Sequence, residues 1–178
     1  PNPTHQYTTQ GLKTVTLAVT NSMGGDQLVR SDYIDVTAPP PSSTFLPVAD
    51  AKVSFSGTST NYGTTGDLRL RGGSTPWKSY LKFNVVGLGS AVQSATLRLY
   101  VTDGSNDGGT LFRVSDTSWS ETGIISANAP PFGAALGNAG ATTVGQWIEF
   151  DVTSEVAGEG PVSFGLSSSS TNSGYFHS

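Results

Sequence analysis

Ser94-Ala95-Thr96-Leu97-Arg98-Leu99-Tyr100-Val101-Thr102 is the stretch that decides the fold. Ala95, Leu97, Leu99 and Val101 fall on one side of an extended chain, and Thr96, Arg98, Tyr100 and Thr102 fall on the other. That period of two marks a strand with one buried and one wet face. Working outward, Leu81, Phe83 and Val85 oppose Tyr80, Lys82 and Asn84; Leu68 and Leu70 oppose Asp67, Arg69 and Arg71; Ala51, Val53 and Phe55 share a side. Further along, Ile148, Phe150 and Val152 oppose Trp147, Glu149 and Asp151, and Val162, Phe164 and Leu166 make a last clear strand. One-sided strands belong to antiparallel sheets over a common core, so the expected fold is all-β: an antiparallel β-sandwich of jelly-roll type. One helical turn is expected over Thr153–Gly158.

Composition agrees. Of 178 residues, 24 are Ser, 22 Thr, 22 Gly and 10 Pro, which favour strands and turns over helices. Cysteine is absent, which removes disulfides, thiolate zinc sites and thiol nucleophiles together. No stretch is long and apolar enough for a membrane span, and no signal peptide opens the chain. The start at Pro1 is taken to mean an internal piece of a longer polypeptide.

The boundary lies at residues 38–43, Ala-Pro-Pro-Pro-Ser-Ser, a semi-rigid linker because consecutive prolines lack amide donors and favour an extended chain. Residues 44–178 form the sandwich. In residues 1–37, Val15, Leu17 and Val19 alternate with polar or small neighbours, Asn21 to Asp26 supplies a turn, and Gln27–Val36 forms a second strand. Two strands hide little apolar surface, so this segment needs missing chain or a partner.

Two resemblances follow from quoted residues. Asn2-Pro3-Thr4-His5-Gln6-Tyr7, Gly11 and Val15-Thr16-Leu17-Ala18-Val19-Thr20-Asn21 resemble the C-terminal part of a PKD domain, an immunoglobulin-like spacer of secreted and cell-surface proteins. The earlier strands of that domain and its Trp-Asp-Phe-Gly-Asp-Gly signature are absent. The remainder is similar to DNRLRE modules, which overlap carbohydrate-binding module family 96 and disaggregatase-type repeats. That resemblance rests on Ala49-Asp50-Ala51, Asn61-Tyr62-Gly63, Leu68-Arg69-Leu70, Ser79-Tyr80-Leu81-Lys82-Phe83 and the 94–101 strand. It continues through Val114-Ser115-Asp116, Ser118-Trp119-Ser120-Glu121, Asn128-Ala129-Pro130 and Phe150-Asp151-Val152-Thr153, and breaks off near Tyr175–Ser178, one strand early. It implies an extracellular or cell-surface, non-catalytic module that holds polysaccharide, acidic glycans included.

Charge is unevenly spread around the total of −4. Residues 50–100 carry Lys52, Arg69, Arg71, Lys78, Lys82 and Arg98 against Asp50 and Asp67, whereas residues 101–178 carry Arg113 against eight carboxylates. An acidic glycan needs spaced cations and flat rings, with Arg suited to carboxylates through its planar fork. Alternation puts Lys78, Tyr80 and Lys82 on one side of a strand, Arg98 with Tyr100 on the outer side of another, and Arg69 with Arg71 on one side of a third. If those strands share a sheet, its outer face is a cationic glycan face; the competing reading is an ordinary solvated surface. Trp77, after Pro76 in a turn, either stacks on a sugar or covers one end of the core. Trp119 and Trp147, beside acidic residues, read as structural.

No cofactor is expected apart from a candidate structural calcium at Asp103 and Asp107 in Asp103-Gly104-Ser105-Asn106-Asp107-Gly108-Gly109. That string lacks EF-hand spacing and suits a Gly-rich turn equally. Gly24-Gly25 and Gly72-Gly73 lack the Lys-Ser/Thr ending of a phosphate loop, and no nucleic-acid partner is expected. His5 and His177 sit near opposite ends of the chain, and Glu121, Glu149, Asp151 and Glu155 show no spacing that singles out a glycosidase pair. The competing function is a building block of a filament, sheath or surface layer that self-associates through exposed β edges.

Overall fold

A computed structural model of the protein describes residues 4–38, 41–57 and 59–178. Pro39 and Pro40 of the expected linker, and Asn2-Pro3 of the spacer resemblance, lie outside the described residues. The chain divides into two units, Pro1–Ser43 and Thr44–Ser178.

The first unit is a hairpin of β1 (Gly11–Asn21) and β2 (Gly24–Val36). Asn21 closes the turn, its side-chain oxygen accepting from the Met23 N–H at 2.8 Å. Leu17 faces Leu28 across the ladder, with Val15 opposite Arg30 and Val19 opposite Asp26. Leu17, Leu28 and Val19 stay more than half exposed, as expected of two strands without a layer behind them.

The second unit is an antiparallel sandwich. Its strands are β3 (Ala49–Ser54), β4 (Asp67–Leu70), β5 (Trp77–Val85), β6 (Thr96–Asp103), β7 (Thr110–Val114), β8 (Ala135–Asn138), β9 (Trp147–Asp151), β10 (Gly160–Ser167) and β11 (Gly174–His177). The expected helical turn is one 3-10 turn, Thr153–Glu155. One sheet has the order β3-β5-β10-β7-β8 and the other β4-β11-β6-β9, so the chain crosses between sheets at almost every connection. Leu68, Leu70, Leu97, Leu99, Val101, Phe150 and Phe176 meet Leu81, Leu111, Phe164 and Leu166 in the core between them. Each such side chain, fully buried, contributes about 1.5–3 kcal/mol. The last residues of the chain, where the sequence pattern breaks off, form β11 in the middle of the four-stranded sheet.

One expectation fails here. β5 belongs to the five-stranded sheet, while β4 and β6 belong to the four-stranded one, so Lys78, Tyr80 and Lys82 cannot share a face with Arg69, Arg98 and Tyr100. Alternation tells which side of its own strand a residue takes, and says nothing about which sheet the strand joins.

A second core explains what happens to the outer face of β5. The connection between β7 and β8 folds back over the five-stranded sheet, and Trp119, Ile124, Ala129 and Phe132 from it pack on Ala49, Ala51, Val53, Tyr80 and Val114. Gly165 on β10 makes the close approach possible: a Cβ there would lie 2.1 Å from the Phe132 ring. This connection is a roof, and among the described residues of this unit only the four-stranded sheet keeps its outer face uncovered.

Candidate functional site

Beneath the roof, the cationic residues of β5 serve the fold. Tyr80 is 1% exposed, and its hydroxyl donates to the Pro130 carbonyl at 3.0 Å. Burial pushes its phenol pKa above the usual range. Lys82 Nζ donates to the carbonyls of Thr117 at 3.2 Å and Trp119 at 2.5 Å, and lies 5.0 Å from the Trp119 ring. Lys78 Nζ sits between the rings of Phe55 and Phe132, at 4.7 and 4.8 Å. Both lysines lay aliphatic stems along apolar surface and tie down the roof. Trp119 is structural as expected, 7% exposed with its indole N–H donating to Ser163 Oγ at 2.8 Å.

The open face belongs to β4-β11-β6-β9. In each strand the inward residues are the core leucines, valines and aromatics, so the residues between them point out. Register sets His177 of β11 beside Tyr100 of β6, and Tyr100 opposite Trp147 of β9. The Tyr100 ring lies 5.5 Å from His177, stacked at 19°, and 5.3 Å from Trp147, edge-on at 63°. Trp147, read as structural from sequence, is 54% exposed and packs on Tyr100. One position along, Arg98 faces Glu149 across the ladder. Its Nε lies 2.8 Å from the Glu149 carboxylate and its guanidinium 4.7 Å from the Trp147 ring. The pair is half exposed, so it adds little stability, but it neutralises Arg98.

At the β4 end the arrangement differs. The Arg69 guanidinium lies 4.6 Å from the Trp77 ring and 5.4 Å from the Tyr175 ring, and its Nε and Nη2 donate to Ser173 Oγ at 3.3 and 3.0 Å. Tyr62 packs edge-on against Trp77 at 5.0 Å. Arg71 pairs its backbone with Trp77 in both directions, and its Nε is buried without a hydrogen-bond partner. Among the described residues neither Arg69 nor Arg71 has a carboxylate in ion-pair range, whereas Lys52, Arg98 and Arg113 each do. Trp77 is half-buried, supporting Arg69 as well as bordering solvent.

Of the sequence candidates, the structure thus brings Arg69 against Trp77 at one end of the open face, with Arg71 joined to Trp77 through its backbone, places Arg98 and Tyr100 at the other, and sets Lys78, Tyr80 and Lys82 apart under the roof. Sequence reasoning missed Tyr62, Trp147, Ser173, Tyr175 and His177. The signal was available for Trp147 and His177, each next to a core residue, Ile148 and Phe176, and hence outward by alternation.

The calcium candidates Asp103 and Asp107 lie at the end of β6 and in the loop that follows it. Burial pushes the Asp107 carboxyl up, but the Ser169 N–H and hydroxyl, Asn138 and the Gly109 N–H outweigh it and hold the group well below the usual carboxylate range. Ser168 adds a further donor at 3.1 Å. Asp103 ends β6, opposite Tyr175. Among the described residues no three His, Asp or Glu side chains are grouped to hold a metal ion.

The open sheet face thus carries exposed rings and a guanidinium held between two of them, groups that suit the C–H faces and the hydroxyls or carboxylates of sugars. Comparison with known families agrees. The chain belongs to carbohydrate-binding module family 96, whose model matches residues 41–178. No curated protein matches the chain.

Proposed function

We propose that the sandwich holds an acidic polysaccharide on the outer face of β4-β11-β6-β9, as a non-catalytic module of a larger secreted or cell-surface protein whose preceding hairpin is the end of a PKD-like spacer. The observation that carries the reading is Arg69, a guanidinium clasped by two rings and a hydroxyl, with no carboxylate in ion-pair range among the described residues. Its fork is oriented before any ligand arrives, so less side-chain entropy is lost on binding. Affinity electrophoresis of the 178-residue chain in gels containing acidic polysaccharide tests it. Retardation that weakens with added salt and is lost in Arg69→Ala is expected. Equal retardation of parent and variant would remove Arg69 from the site.

A second reading is favoured by the hairpin. β1 and β2 are long, 11 and 13 residues, and expose Leu17, Val19 and Leu28 on one face, the profile of a strand pair completed by another chain. Sedimentation of the purified chain decides it: a monomer across a concentration series counts against assembly, and fibres without glycan retention would replace the binding reading.

A further inference from the structure

A guanidinium offers a ligand two forks of paired donors, and in Arg69 the fold occupies one of them. Nε and Nη2, on one edge, both donate to Ser173 Oγ, at 3.3 and 3.0 Å. Trp77 of β5 stands beyond the free edge of β4 and Tyr175 of β11 stands on its laddered side, so rings flank the guanidinium at 4.6 and 5.4 Å. Asp103 lies opposite Tyr175, one strand further, and among the described residues is outside ion-pair range of Arg69. The terminal edge remains. Among the described residues Nη1 has no hydrogen-bond partner, and it is not one of the buried unpaired atoms, so it reaches solvent.

Ser173 is itself held in place. It ends the hydroxyl-rich run 167–173, directly before β11, and that run is tied down along its length. Asp107, in the connection between β6 and β7, accepts from the Ser169 N–H at 2.8 Å and from the Ser168 and Ser169 hydroxyls at 3.1 and 2.8 Å. The Ser170 carbonyl accepts from the Gly72 N–H at 2.6 Å, just past the end of β4. The buried Ser105 donates to the carbonyl of Asn172, the residue before Ser173, at 2.9 Å. The string 103–109, a calcium candidate in the sequence, thus anchors the segment that meets Arg69. Resting on the acidic-polysaccharide reading above, we infer that Ser173 is a positioning residue: by occupying the Nε–Nη2 fork it leaves the Nη1–Nη2 edge to the ligand, whose oxyanion is received end-on, in the guanidinium plane between the Trp77 and Tyr175 rings. An arginine released from Ser173 keeps its charge but has to be ordered by the ligand, which weakens binding.

Affinity electrophoresis of the 178-residue chain over a salt series, in gels containing polygalacturonate or dextran sulfate, tests this in whichever polymer retards the parent more. Ser173→Thr and Ser173→Val introduce side chains of one shape that differ in the hydroxyl. Ser173→Thr is expected to be retained like the parent. Ser173→Val is expected to be retained about fivefold less, the effect of ordering one long side chain, with the parent's salt dependence, because the charge is still there. In Arg69→Lys, which keeps the charge but has no fork to aim, adding Ser173→Val is expected to leave retention where it is. Ser173→Ala, read beside Ser173→Val, separates loss of the hydroxyl from the bulk of the new side chain, and urea midpoints show each variant folded. Retention of Ser173→Ala equal to the parent's, or an equal loss from Ser173→Val in the parent and in Arg69→Lys, overturns the positioning role and leaves the acidic-polysaccharide reading intact. A parent chain that neither polymer retards overturns both.

Discussion

Ser79 Oγ grips the backbone of Arg69 at both ends, accepting from its N–H at 3.0 Å and donating to its C=O at 3.0 Å. β4 is an edge strand laddered to β11 on one side only, and the fully buried Ser79 of β5 acts as a strand partner on the other. One hydroxyl closes the sandwich at the residue whose side chain carries the proposed site. Ser79→Ala leaves both main-chain groups of Arg69 unpaired, and is expected to cost about 1–3 kcal/mol in urea unfolding and to weaken retention by acidic polysaccharide. Unchanged stability would mean that water replaces the hydroxyl.

The two exposed-or-buried tryptophans separate binding from folding. Trp147→Ala is expected to change stability by no more than about 0.5 kcal/mol and to lower glycan retention, because its ring lies on the surface. Trp119→Ala, which empties the roof's core and removes the donor to Ser163 Oγ, is expected to cost about 3–5 kcal/mol. Thermal unfolding and affinity electrophoresis of both variants give the four numbers that check this.

Tyr80→Phe removes only the bond to the Pro130 carbonyl. A loss of about 1 kcal/mol is expected, with glycan retention equal to that of the parent chain. Reduced retention at full folding would bring the roofed face back into consideration as a binding surface.

Gly165→Ala tests the roof itself. A methyl group driven into the Phe132 ring forces that ring outward, at a cost of about 1–3 kcal/mol, and loosens the contact that buries Tyr80. Faster hydrogen exchange confined to residues 115–134 and the strands beneath them is the expected pattern.

Two aspartates should respond to pH with opposite sign. Asp107 has a folded pKa below its unfolded value of about 3.9, so it stabilises the fold above that value and the benefit fades as pH falls toward the folded one. Asp50 is shifted upward, first by burial and further by Glu121, against the opposing Ser178 hydroxyl, so its burden on the fold is relieved as pH falls through the folded value. Near neutral pH, Asp107→Asn is expected to be less stable than the parent by about 1–2 kcal/mol and Asp50→Asn more stable. Both differences should shrink in acid, as urea midpoints across a pH series will show.

How far the molecule can be read from its residues depends on the range of the interaction. Strands such as 96–103 announce themselves because their period is local, and the outward position of Arg69, Arg98 and Tyr100 follows from it. The short β8, Ala135–Asn138, has no alternation to find, and its pairing with β7 is supplied from outside. Tyr80 and Lys82 mislead for a different reason. Each is amphipathic, so a wet face and a face beneath a polar connection look alike in sequence, and only the fold-back of 115–134 distinguishes them. The clasp around Arg69 joins Trp77 and Tyr175, 98 positions apart, and no spacing rule reaches that far.

The roof over the five-stranded sheet also sets the valency of the unit. With one flank sealed and the other open, a polymer held on the open sheet meets a tile with a front and a back. On the proposed site a single unit would grip one strand without cross-linking two, so stronger attachment would come from units strung along the same polymer, each adding effective concentration rather than a second grip.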